Sequence, residues 1–401
     1  MAPPLGPSHP PVTAALPLFP VTTVGSWPRP PGLLRAQRLL QQGRLAQDGF
    51  DAVADTAVLA ALHAQEAAGV DVVTDGEQRR DNFFSFVATS LDGVELMTLA
   101  QMLEVVEDRA GFERILQTLD VPAYAISNAT CVGPVRRRRP LAVDELRFLR
   151  RHTDRPVKVP LPGPYLLTRA MYVPSVSGAT YPTKEALAED VVTLLRTEIA
   201  DLIAEGAGFI QLDEPVLTEL VFAAGQTRTF MCAALAARRD PAEELEFAVS
   251  LVNRVVDGFA GSVRIGLHVC RGNWSTDEST LLRGGYRPLE PYLRQMQVQQ
   301  LVLEYATERA GDLVPIGGRE LGLGVVNPRT TAVESEAAIE ALVRRALAHH
   351  PPEALWLNPD CGFATFANRP VSTAEIATQK LARVVAVARG LRAEYAVPQP
   401  R

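Results

Sequence analysis

Eight short β-branched runs recur along this chain, and amphipathic stretches of helical length lie between several of them. The runs read "FPVTTVGS", "VDVVTDGE", "VKVPLPGP", "GFIQLDEP", "VRIGLHVC", "QLVLEYA", "LGLGVVN" and "LWLNPDC". "KEALAEDVVTLLRTEIADLIAEGA" and "ESEAAIEALVRRALAHH" are the clearest helical intervals. Parallel neighbours need a long crossover, so this alternation calls for a parallel sheet. Eight units predict an α/β fold, a single (β/α)8 TIM barrel over residues 20–395. A ninth run, "AYAISNATCVGPV", is predicted to form a β-hairpin excursion around residues 123–137, before the helix "AVDELRFLRRH". Residues 1–19 are proline-rich, with no basic n-region or apolar h-region, and are expected to be a disordered lead-in rather than a signal peptide.

Polar and reactive residues collect at the C-terminal ends of these runs: Ser26, Asp75, Glu77, Asp213, Glu214, His268, Cys270, Glu304, Asn327, Asp360 and Cys361. That end of a (β/α)8 barrel is where active sites are built, and packing alone gives no reason for the pattern. An enzyme is the expectation. With 401 residues, 47% of them hydrophobic, the chain can bury a large core. A formal net charge of −6 gives no reason to expect nucleic acid as the main partner. No apolar stretch is long enough to predict a membrane span. Four cysteines (Cys131, Cys232, Cys270, Cys361) are too sparse for a disulfide framework, so a reducing, cytoplasmic setting is expected. The run Arg136–Arg139 lies between Pro134 and Pro140 and is read first as a solvated loop, with docking of an anionic substrate or partner as the alternative. No nucleophile elbow and no phosphate-binding loop is present.

His268 and Cys270 are two residues apart in a strand-like run and so share a face. Zinc takes this kind of ligand, usually four in a tetrahedron. Glu304 and Cys361 end later runs and could complete the set, and a buried Glu304 would be costly without a cation. The competing view is that H-x-C arises by chance and that a buried cysteine acts as a small hydrophobe. Cys131 and Cys232 have no such context and read as structural.

The motifs "TTVGSWP", "DGEQRR", "PVK" followed by "LPGP", "IQLDEP", "HVC", "LEYATER" and "LWLNPDCGFAT" together resemble the catalytic half of cobalamin-independent methionine synthase, from about Val21 to about Arg392. The resemblance implies a barrel of the type that family shares with uroporphyrinogen decarboxylase. It implies Zn2+ held by His268, Cys270, Glu304 and Cys361, and a methyl group transferred to the thiol of homocysteine. It assigns substrate recognition to Gly25, Ser26, Glu77 and Asp213. Two acids suit an α-ammonium group, and backbone N–H groups near Ser26 suit an α-carboxylate. The plain alternative pairs Glu77 with Arg79 or Arg80 and makes Asp213 a helix cap.

Three departures bear on the methyl donor. The resemblance covers the catalytic half only, without the family's N-terminal half that helps grip the folate tail. Ala170 stands where the family has a pterin-stacking tryptophan. Where the family has a histidine thought to protonate the departing folate, this sequence offers Asn327 and Arg329, and arginine is a poor general acid. A donor other than methyltetrahydrofolate polyglutamate is therefore expected, such as a corrinoid or a donor protein, with Arg329 and Asn327 as donor-side candidates. Alkyl transfer to another thiol such as coenzyme M, or a non-catalytic zinc- or thiol-binding barrel, are the competing functions. The segment "FATFANR" (Phe363–Arg369) follows Cys361 and could act as a lid.

Overall fold

The computed structural model describes residues 16–106, 109–110, 112–113, 127–222, 240–277 and 281–396. Six parallel strands form one continuous sheet in sequential order: β3 (Lys158–Pro162), β4 (Phe209–Asp213), β5 (Arg264–Val269), β6 (Gln300–Glu304), β7 (Glu320–Val326) and β8 (Leu355–Pro359). The runs at Val21–Thr22 and Val72–Val73 form only isolated parallel bridges. Val21 pairs with Leu357, Thr22 with Val72, and Val73 with Val157, so these two stretches connect the edges of the sheet. The fold is α/β and resembles a TIM barrel.

Strands β3, β4, β6 and β8 are buried at every position, as expected of a parallel sheet covered on both faces. The helices start where their sequences provide caps. The Thr183 hydroxyl accepts from the Ala186 N–H ahead of Lys184–Ala204, and Ser335 does the same for Ala338 ahead of Glu336–Leu347. Asp240 caps Pro241–Val256, with proline at the first helical position. Not every crossover is a full helix. Between β6 and β7 the described residues contain only a short 3-10 turn, Glu308–Ala310.

The ninth run is a strand, but its partner was not foreseen. Strand β2 (Ser127–Arg137) pairs antiparallel with β1 (Leu91–Thr98), far upstream, so this is a two-stranded ribbon rather than a hairpin within residues 123–137. Residues 123–126 lie outside the described residues. The register slips between Asp92 and Val94, where Gly93 has a φ of 75° and a Cβ would strike the Pro134 carbonyl. The arginine run is also not a free loop. Arg136 and Arg137 end β2, and Arg137 is ion-paired at 2.6 Å with both Glu198 and Asp201 on helix Lys184–Ala204. The lead-in ends earlier than expected. Phe19 is fully buried and meets Tyr395 edge-to-face, while residues 1–15 lie outside the described set. No described helix is long and apolar enough to cross a membrane.

Candidate active site

Strand β5 delivers His268 at its end and Cys270 just beyond it, and β8 runs into Cys361. The donor atoms of these three buried residues all lie within 4.8 Å of one another. The His268 ring sits 3.1 Å from the Val302 carbonyl through Nδ1. A carbonyl can only accept, so Nδ1 carries a proton, and in the neutral ring the lone pair falls on Nε2. Nε2 is buried and has no hydrogen-bond partner. An orphaned imidazole nitrogen beside two thiols is what a soft cation requires, and the carbonyl behind it is the usual way of fixing the tautomer. Burial works against charge on His268, but Cys361, Asp213 and Glu304 outweigh it and raise its pKa to about 9. The Cys361 thiol is pushed well up by Cys270 beside it and by burial. The surroundings thus attract positive charge while Cys270 and burial hinder ionisation of Cys361, a conflict that a bound cation would resolve. The residues fit a metal.

Glu304 is not part of that close group. Its Oε1 accepts from the Arg271 N–H (2.9 Å) and Asn273 Nδ2 (2.6 Å), and its Oε2 from Arg309 (2.9 Å). A carboxylate has about four lone-pair sites, so Oε2 retains capacity for one more partner. Asn273 is the centre of this network, because its Oδ1 also accepts from Arg309 and from Arg329 Nε at 3.0 Å.

Beside the three donors lies a cleft with about 410 Å³ of empty space, part of it open to solvent. Ser26, Glu77, Asp213, Asn273 and Thr365 supply its polar lining, and no lysine or arginine is among the described residues that line it. Glu77 follows Gly76, and both have left-handed backbones, with φ of 53° and 70°. The unusual conformation is held at both ends. Asp75 Oδ1 accepts the Glu77 N–H, and Arg29 donates to the Glu77 carbonyl. The Glu77 head group is left free, with Oε2 buried and unpartnered. Arg79 pairs with Asp55 and Arg80 with Glu145, so neither takes Glu77. Burial raises the Glu77 pKa to about 7, with Arg80 pulling it down and Asp213 adding to the rise. Gly25 makes room for this carboxylate, since a Cβ there would overlap Oε1. Asp213 is no helix cap. The cap is its neighbour Glu214, whose oxygens accept from the Tyr165 and Leu166 N–H groups at 2.7 and 2.9 Å.

The remaining candidates serve the scaffold. Asp360 Oδ1 accepts from the backbone of Tyr305 and Ala306, both at 2.9 Å. Asn327 Oδ1 caps the Arg329 N–H, and Arg329 Nε donates to Asn273, which lines the cleft, while Arg329 itself is not among the lining residues. Ala170 is buried, and its carbonyl accepts from Asn128 Nδ2 at 2.7 Å. Cys131 is buried and donates to the Gly133 carbonyl, while Cys232 lies outside the described residues. The segment after Cys361 is packed down. Phe363 meets Trp27 edge-to-face, the Ala367 N–H donates to the Asp81 carbonyl, and Thr365 lines the cleft. Sequence reasoning missed Asn273, Arg309 and Arg29. Only "RGNW", immediately after Cys270, carried a local hint of the first.

Residues 19–389 match the family described as cobalamin-independent synthase, catalytic domain. The chain belongs to the cobalamin-independent methionine synthase family, whose members are methyltransferase enzymes. It is 30% identical over 385 residues to the methionine synthase of Thermococcus kodakarensis, covering 95% of this chain and 96% of that one. It is 29% identical to that of Saccharolobus solfataricus, covering 94% and 96%. Among solved structures it superposes on a B12-independent methionine synthase from Shewanella sp. W3-18-1, in complex with selenomethionine. That match has a TM-score of 0.71 and 23% identity and covers 94% of this chain and 99% of the other. A methyltransferase from Methanosarcina mazei matches at a TM-score of 0.51 and 15% identity, covering 93% and 94%. At these identities the two structures speak to the fold alone.

Proposed function

We propose that this chain is a zinc-dependent S-methyltransferase that converts homocysteine to methionine in the cytoplasm, on a (β/α)8 barrel whose first two strands are the Val21–Thr22 and Val72–Val73 stretches. One juxtaposition carries this reading. The His268, Cys270 and Cys361 donor group and an unpartnered Glu77 oxygen border the same cleft. The first suits a thiol-binding metal, and the second, with Asp213, suits an ammonium group. The selenomethionine in the Shewanella relative is the selenium analogue of the proposed product.

His268, Cys270 and Cys361 would hold the zinc, with the spare capacity of Glu304 Oε2 as the fourth position. When bound, zinc favours the thiolate form of a substrate thiol at neutral pH, which is the nucleophilic form. Glu77 and Asp213 hold the ammonium group, and Ser26 with the backbone at Gly25 faces the carboxylate. This fixes the sulfur in the cleft, and alignment of this kind is where much of the rate arises. The sulfur attacks the donor's methyl carbon and a C–S bond forms. The methyl–donor bond breaks with its electron pair remaining on the donor.

Neither Asn327 nor Arg329, the donor-side candidates, is among the described residues that line the cleft. Arg329 stays charged at ordinary pH and is bound to Asn273 behind the cleft wall. A methylated corrinoid, free or carried by a donor protein, needs no proton at its leaving group, whereas a departing folate does. A sulfonate thiol such as coenzyme M would call for lysine or arginine, and neither is among the described residues that line the cleft. The test is donor-resolved turnover. Zinc-loaded protein is mixed with homocysteine and, separately, with methylcobalamin, methyltetrahydrofolate or its polyglutamate, with Cys361→Ser as the blank. Methionine from methylcobalamin alone supports the full reading. Turnover with a methylfolate overturns the donor assignment, and no methionine from any donor overturns the thiol assignment.

A further inference from the structure

We propose that Gln211 is a positioning residue that aims Asp213 at the ammonium group of the substrate, and that Lys158 fixes which way round Gln211 sits. The proposal rests on the homocysteine reading above and adds two residues outside the cleft lining. Strands β3 and β4 run side by side, with Pro160 opposite Gln211 and Pro162 opposite Asp213. Gln211 and Asp213 are two residues apart and therefore share a face. The Lys158 ammonium donates to Gln211 Oε1 at 3.0 Å. Gln211 Nε2 donates to Asp213 Oδ1 at 2.8 Å and to the Val24 carbonyl at 2.9 Å.

This arrangement has one solution. An ammonium can only donate, so the amide oxygen must face Lys158 and the NH2 must face Asp213 and Val24. A flipped amide would set donor against donor at one end and acceptor against acceptor at the other. Asp213 is thereby held through Oδ1, which leaves Oδ2 for a ligand. Both Val24 and Asp213 line the cleft, so Gln211 ties two of its walls together from beneath.

The burial of Lys158 is otherwise hard to justify. It is 1% exposed, forms no ion pair among the described residues, and has only the Gln211 amide and the Phe209 ring, 5.3 Å away, as close polar or aromatic partners. Packing alone would be served better by methionine or leucine, because a buried ammonium is costly. Burial draws its pKa down to about 7, and the charge of Asp213 partly restores it. The charge of Lys158 in turn favours the ionised form of Asp213.

The experiment measures ligand preference. Calorimetry on the zinc-loaded full chain compares homocysteine with 4-sulfanylbutanoate, which keeps the thiol and carboxylate and replaces the ammonium with hydrogen. The wild type is expected to prefer homocysteine. Gln211→Met should lose about tenfold of that preference, the scale of one hydrogen bond to a charged group, with affinity for 4-sulfanylbutanoate unchanged. Lys158→Met frees the amide to turn and should lose a smaller part. The double variant leaves no orphaned ammonium and replaces Gln211→Met should the single variant fail to fold. An undiminished preference overturns the proposal. So does equal weakening of both ligands, which would mark a merely structural role. A wild type that does not discriminate overturns the ammonium site itself, and the proposal with it.

Discussion

Glu77 and Glu304 are both sealed from solvent, at 2% and 0% exposure, and both end an extended run near the three metal-donor side chains. The protein treats them in opposite ways. Glu304 has its carboxylate fixed by a backbone N–H, an asparagine and an arginine, whereas Glu77 has its backbone fixed and its head group left without a partner. A carboxylate that already has three donors is a preset part of the site. One that is buried with an empty oxygen stores a desolvation cost that a cationic ligand can relieve. The contrast separates the part of the cleft that is finished from the part that awaits substrate.

The strongest way to break the contrast is to remove the metal side. Cys361→Ser should lower zinc content, measured by plasma mass spectrometry, and cut methionine formation by at least about 10²–10³-fold. Activity that survives with zinc absent would end the zinc reading. On the substrate side, Glu77→Gln should raise the KM for homocysteine by roughly 10–100-fold, with a smaller change in kcat, because the lost partner serves binding.

The same variant sharpens the comparison through pH. In the folded chain Glu77 remains protonated up to about 7, against an ordinary value of 4.5. Between those values the unfolded chain is ionised and the folded chain is not, so the folded state binds more protons. The stability of the ligand-free protein should therefore fall as pH rises through that window. Urea midpoints across it should show the slope in the wild type and a flatter one in Glu77→Gln. A smaller effect is expected for Gly25→Ala. Its methyl would displace the Glu77 carboxylate and raise the KM for homocysteine by about tenfold, with the zinc content unchanged. The least is expected from Arg329→Met. A change of less than about threefold in that KM should accompany a lower melting temperature, because Arg329 is not itself a lining residue and meets the cleft through Asn273.

What could be read from the sequence was whatever repeats or sits at an element's end. The six continuous strands and the positions of His268, Cys270 and Cys361 follow from β-branched runs that terminate in reactive residues. Leu91–Thr98 was missed because its pairing with Ser127–Arg137 is long-range and Gly93 breaks the alternation. Val21–Thr22 and Val72–Val73 look as strand-like as the other runs but make single bridges, a difference set by register rather than composition. Arg29 was invisible for another reason. Its three acceptors are the carbonyls of Glu77, Arg80 and Ala364, and a backbone carbonyl leaves no trace in residue identity.

Those three bonds have a consequence for how the enzyme comes into being. Arg29 joins the Glu77 loop to the Cys361 loop, reaching Ala364 at a separation of 335 residues, and the Phe363 N–H donates to the Ser26 carbonyl across the same seam. The cleft is thus assembled from segments that lie far apart in the chain. During synthesis, His268 and Cys270 emerge well before Cys361, and long-range closure is the slow part of folding. A nascent or truncated chain that ends before Cys361 lacks one of the two thiols, so the three-residue donor group is completed only once that segment has been made.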